Sequence, residues 1–201
     1  MIVSYFFTML IQLDNVLLKA ICILLLGLTF LLPGAELLLF LVTIIYLSKN
    51  SFTEPFLKIK RLIKGCKVFL LLLPMVVIVS SVSHYLLYDY SKQDIVIKLK
   101  EASYLESIPM IFSVLFVAPF IEEFYFRKLL MDSLLKWLGI LFAVIFSALY
   151  FSLIHLNIFS FPILFTLGIS LGVVRLISND WLASVLCHLF FNSFMLVQIY
   201  S

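Results

Sequence analysis

Residues Ile108–Leu138 read IPMIFSVLFVAPFIEEFYFRKLLMDSLLKWL. Up to Ile121 the only polar side chain is Ser113. Then Glu122, Glu123, Arg127 and Lys128 interrupt, and apolar residues resume at Leu129 without an intervening glycine or proline. The stretch is read as one helix from about 108 to 137, ending at a turn near Trp137–Gly139. Pro119 has no N–H and would kink it by freeing the carbonyl of Leu115. At about 1.5 Å per residue such a helix is long enough to cross the roughly 30 Å of bilayer hydrocarbon. Ionisable groups on a helix of this kind need neighbouring helices or a cavity to face.

The rest of the chain supports a membrane reading. Of 201 residues, 64% are hydrophobic and 12% are charged, against about 25% charged in an ordinary soluble domain. The mean hydropathy is +1.21. A soluble domain of this size has too little interior for that much apolar surface, and a disordered chain would be far more polar. The net charge of +3 is not gathered into a basic stripe, so nucleic-acid binding is not expected. Cys22, Cys66 and Cys187 are scattered and suggest neither a disulfide framework nor a cysteine metal site. The first residues, MIVSYFFTML, lack a basic start and a small-residue cleavage site, and are read as part of the mature protein.

Working outward, apolar segments are expected at Val16–Leu32, Ala35–Leu47, Val68–Leu87, Ile108–Phe120 and beyond, Ile140–Leu156, Phe161–Ile177 and Trp181–Tyr200. Residues 3–11 could add a short interfacial helix. The expected fold is an all-α, polytopic membrane helical bundle with six to eight transmembrane helices. Residues 49–67 carry Lys49, Lys58, Lys60, Arg61, Lys64 and Lys67 against Glu54 alone, and the positive-inside rule makes this loop cytoplasmic. Residues 88–107 are balanced in charge and are expected on the other face.

Four sites place polar groups in or beside apolar spans. Glu123 and Arg127 are four apart, share a helix face and can pair. Glu122 points about 100° away and is left for other work, unless the whole cluster is a charged helix end among headgroups. His155 follows Phe151 by one turn. His188 and Asn192 are spaced i,i+4 inside the last apolar segment, where the plain alternative is hydrogen bonding between helices. Arg175, before Ser178-Asn179-Asp180, reads as an interfacial anchor. Glu122 lies 16 residues before Leu138 and His155 lies 17 after it. An antiparallel hairpin would set both about 25 Å from the turn, at matching depth.

These residues resemble the signature of the CPBP family of intramembrane proteases, also called the CAAX-protease or Abi family: EExxxR, then FxxxH, then HxxxN/D. Glu122, Glu123 and Arg127 fill the first element, Phe151 and His155 the second, His188 and Asn192 the third. The resemblance covers about residues 104–200. Hydropathy alone reads residues 1–103 as N-terminal membrane helices with a basic loop, and the resemblance implies a catalytic core over 104–201. It implies an endopeptidase acting on a membrane-associated peptide or protein, in a multi-pass protein of a bacterial cell membrane. Glu122 would be the general base, His155 would hold the water with it, and His188 and Asn192 would donate to the oxyanion. Glu123, Arg127 and Phe151 would support the site.

No cofactor is favoured, although Glu122, His155 and His188 supply a carboxylate and two imidazoles that could serve zinc. Two other functions compete. A scaffold or immunity protein of the same family would keep the polar residues as glue between helices. A transporter would use them as a proton relay.

Overall fold

The computed structural model describes residues 58–88 and 94–200. The expected segments Val16–Leu32 and Ala35–Leu47, and the interfacial segment 3–11, lie outside the described residues. Every described element is helical: α1 (Ile59–Leu86), α2 (Asp94–Glu101), α3 (Tyr104–Phe112), α4 (Ala118–Glu123), α5 (Asp132–Leu153), α6 (Phe161–Ser178) and α7 (Trp181–Tyr200). Two stretches of wider π-helical turn, Ser113–Val117 and Phe124–Met131, join α3 to α4 and α4 to α5. Four of the described helical runs are long and apolar enough to cross a membrane: Ile59–Leu86, Tyr104–Leu153, Phe161–Ser178 and Trp181–Tyr200. The protein is an integral membrane helical bundle.

The run from Tyr104 begins at a capping box, in which the Ser103 N–H and hydroxyl both donate to Glu106 Oε2 at 2.9 and 2.7 Å. It breaks at Gly139, whose φ of 72° and ψ of 178° are not helical. Glycine has no Cβ to resist this conformation. The break falls at the turn read from the sequence. Beyond it the chain doubles back, and the Ser147 hydroxyl donates to the Phe126 carbonyl at 2.9 Å across the hairpin. Phe126 packs edge-on against Tyr150 and Phe151.

Helix α1 starts nine residues before the expected Val68, taking Lys60, Arg61, Lys64 and Lys67 into its first turns. Long basic side chains can keep their charges at a polar boundary while their stems run along an apolar helix. Their end of the bundle gathers further charge. Arg175 is more than an interfacial anchor: its Nη2 donates to both Asp132 carboxylate oxygens, at 2.9 and 3.0 Å. Arg61 donates to the Asn179 carbonyl at 3.3 Å. Asn179 itself closes α6 in the left-handed conformation, φ 53°, which asparagine tolerates better than most residues.

The principal core lies between α1, α6 and α7, where Phe69, Val76, Leu167, Leu171, Val174 and Cys187 are buried together. Helix α1 therefore belongs to the same packed body as α6 and α7. Helices α5 and α6 meet through small residues. A Cβ on Gly168 would stand 3.0 Å from the Ala148 Cα and Cβ. Without a hydrophobic drive between helices in lipid, such close backbone contact is a main source of adhesion. Gly168→Ala should therefore lower thermal stability in detergent, by about 1–3 kcal/mol of overpacking. Unchanged unfolding would contradict this contact.

Candidate active site

Glu122 and Glu123 close α4 and are buried, and Arg127 lies in the wide turn just after it. The Arg127 Nε is 3.1 Å from Glu123 Oε2, and both side chains are fully buried. The i,i+4 pair expected from the sequence is thus present. The Arg127 guanidinium also stacks over Phe151, 5.1 Å from the ring centroid, and its Nη1 lies 3.4 Å from the Ser147 hydroxyl. These contacts tie both arms of the hairpin to one cation.

Glu123 has a second partner that spacing could not predict. The His188 Nδ1 lies 3.0 Å from Glu123 Oε1. A carboxylate can only accept, so Nδ1 carries the hydrogen and Nε2 is turned to the other side. There it stands 3.8 Å from Glu122 Oε2. Glu122 is consequently not left alone by the Glu123–Arg127 pair. One imidazole, supplied by α7, faces both carboxylates.

His155 lies just beyond the end of α5. Its Nδ1 is 2.8 Å from the Phe151 carbonyl. A carbonyl also only accepts, so Nδ1 is protonated in the neutral ring and Nε2 holds a lone pair. Burial is the main cause that pushes the His155 imidazole down to about 4, against the backbone hydrogen bond, and the charge of His188 lowers it further. The ring stays neutral at physiological pH. Protonation is opposed in the folded state, so any stability it contributes is lost as pH falls from about 6.5 towards 4. Phe151 separates the two histidines and packs against each, with centroids 5.2 Å from His155 and 5.8 Å from His188.

Asn192 shares the His188 face of α7, and its Nδ2 donates to the Val114 carbonyl at 2.9 Å. The sequence predicts that Pro119 frees the carbonyl of Leu115. In the structure the wide turn deprives Val114 as well. The Ala118 N–H bonds to the Ser113 carbonyl, five residues back. Val114 then loses its ordinary donor, and its donor in the wider register would be Pro119, which has none.

Both histidines have Nδ1 engaged and Nε2 directed elsewhere, as metal-binding histidines do. The third requirement, convergence, is not met. Among the described residues no three His, Cys, Asp or Glu side chains gather closely enough to hold a metal ion.

Residues 104–194 match the family model of type II CAAX prenyl endopeptidase, Rce1-like. Over that stretch the chain is similar to the CAAX-protease family. All seven site residues expected from the sequence lie within the matched stretch. No curated protein and no solved structure matches the chain.

Arg127 is central to this site, and its planar fork suits simultaneous contact with a carboxylate, a hydroxyl and a ring. Arg127→Lys should keep the charge yet lose the Ser147 and Phe151 contacts. A loss of about 1–3 kcal/mol is expected in thermal or denaturant unfolding. Wild-type stability in this variant would show that charge alone matters.

Proposed function

We propose that the protein is an intramembrane endopeptidase in which Glu122 activates a water to attack a peptide bond. One observation carries the reading: His188 faces Glu122 through Nε2 at 3.8 Å while Nδ1 is held by Glu123 at 3.0 Å. His155, with Nε2 unprotonated, stands across Phe151.

In this mechanism the water gives one hydrogen bond to Glu122 and the other to His155 Nε2. Both acceptors are fixed, so an oxygen lone pair is left for the carbonyl carbon. Glu122 takes the proton as the C–O bond forms. In its imidazolium form His188 donates Nδ1–H to Glu123 and presents Nε2–H to the oxyanion, a contribution that grows in a site screened from bulk water. When the intermediate collapses, the proton on Glu122 passes to the leaving nitrogen as the C–N bond breaks. The products are an amine and a carboxylic acid, whose remaining proton leaves through His155 Nε2 to solvent to give the carboxylate. No step is routed through a metal.

The proposed substrate is a peptide or protein held at the membrane. The family name makes a prenylated C-terminal peptide the first one to try. Site residues set on apolar helices support a substrate held at the membrane.

Glu122→Gln preserves shape and removes the base. It should lower cleavage of a farnesyl-cysteine peptide by about 10²–10⁴-fold, the usual contribution of a general base. His155→Ala should be similarly damaging. Metal content of the purified protein is measured alongside. If Glu122→Gln cleaves as well as wild type, the carboxylate has been wrongly assigned. If neither protein cleaves but both retain biological function, the polar residues serve a scaffold.

A further inference from the structure

The Val114 carbonyl lies in the wide turn just before α4. In an ordinary α-helix it would accept from Ala118 N–H. That N–H is given to Ser113 instead. In the wider register its donor would be residue 119, and Pro119 has no N–H. A carbonyl without a donor is costly in lipid, where water does not reach. The Asn192 Nδ2 supplies the missing hydrogen at 2.9 Å.

We propose that Asn192 is a positioning residue, which holds the wide turn open and so sets the face on which Glu122 stands. Two ties run from one face of α7 to this arm of the hairpin. Asn192 binds Val114 before the proline, and His188 binds Glu123 after it. Without the amide, the cheapest repair is for Ala118 N–H to return to Val114. That narrows the turn by one residue and rotates α4 by about 100°. Glu122 and Glu123 would leave His188. Asn192 thus acts through the backbone of α4, and its engaged N–H does not touch the reacting carbonyl.

This deepens the proteolytic reading and rests on it for its catalytic part, while its structural part stands alone. The test is a double-mutant cycle between Asn192→Ala and Pro119→Ala. The alanine at 119 restores a backbone N–H able to reach Val114. Thermal unfolding in detergent and cleavage of a farnesyl-cysteine peptide are measured for all four proteins. Asn192→Ala alone should unfold several degrees lower. Its kcat should fall about 10²–10⁴-fold with KM little changed, as expected when the general base is turned away from the reacting carbonyl. In the Pro119→Ala background both losses should largely disappear.

If Asn192→Ala unfolds as wild type, or if its losses are equal in both backgrounds, the inference is overturned and the amide acts on the reacting group itself. If no protein cleaves, wild type included, the proteolytic reading fails while the unfolding cycle still decides whether Asn192 answers Pro119. Should Pro119→Ala not fold, Asn192→Asp replaces it. The carboxylate has no hydrogen to give, so this variant should unfold below wild type at pH 7. The deficit should shrink as pH falls and the side chain regains a hydrogen. A deficit that does not change with pH would contradict the proposal.

Discussion

A guanidinium with no solvent exposure sits inside an apolar bundle, and the candidate site is arranged around it. Arg127 and Glu123 are both fully buried and 3.1 Å apart. Removing two charges from water costs several kcal/mol per ion, repaid only when geometry is good and further hydrogen bonds are made. The pair's further contacts, hydrogen bonds and one aromatic face, come from other elements. Ser147 and Phe151 on the returning arm meet Arg127, and His188 on α7 meets Glu123. Three membrane-spanning elements are thereby bound to one ion pair. Pairs of this kind contribute less to net stability than to fixing one arrangement among many, and fixing the arrangement is the use inferred for this one.

The pair also decides the setting of the neighbouring carboxylate. It occupies Glu123, and adjacent residues on a helix point about 100° apart. Glu122 is left beside the Nε2 of the same imidazole whose Nδ1 anchors Glu123. In the proposed mechanism, structure and chemistry are divided between two consecutive residues. The wide turns on either side of α4 serve the same division. Such turns shift register by one residue, and they often accompany functional sites.

Much of this was legible in the sequence because it is local. The turn at Gly139, the i,i+4 pairing of Glu123 with Arg127 and the shared face of His188 and Asn192 all arise from helical periodicity. The hairpin that sets Glu122 and His155 on opposing arms comes from counting residues about a turn. Contacts between distant segments were not legible. The Glu123–His188 bond joins residues 65 apart and the Arg175–Asp132 bond residues 43 apart. Periodicity says which face a residue takes, not which helix meets it. The displaced carbonyl is a subtler case. Pro119 signals a missing donor at Leu115, but only the register of the turn shows that Val114 loses its donor too. Helix α1 runs beyond its apolar stretch for a related reason: basic residues at a membrane boundary do not end a helix, so hydropathy alone sets its start too late.

The division of labour between the two glutamates is the central claim, and side-by-side unfolding of Glu122→Gln and Glu123→Gln in detergent tests it most directly. Glutamine at 123 leaves Arg127 as a buried cation without its counter-charge, and breaking one side of a buried pair costs about 3–5 kcal/mol. The account predicts a marked loss of stability for Glu123→Gln and near wild-type unfolding for Glu122→Gln. Equal stability of the two variants, or the larger loss at Glu122, would contradict it.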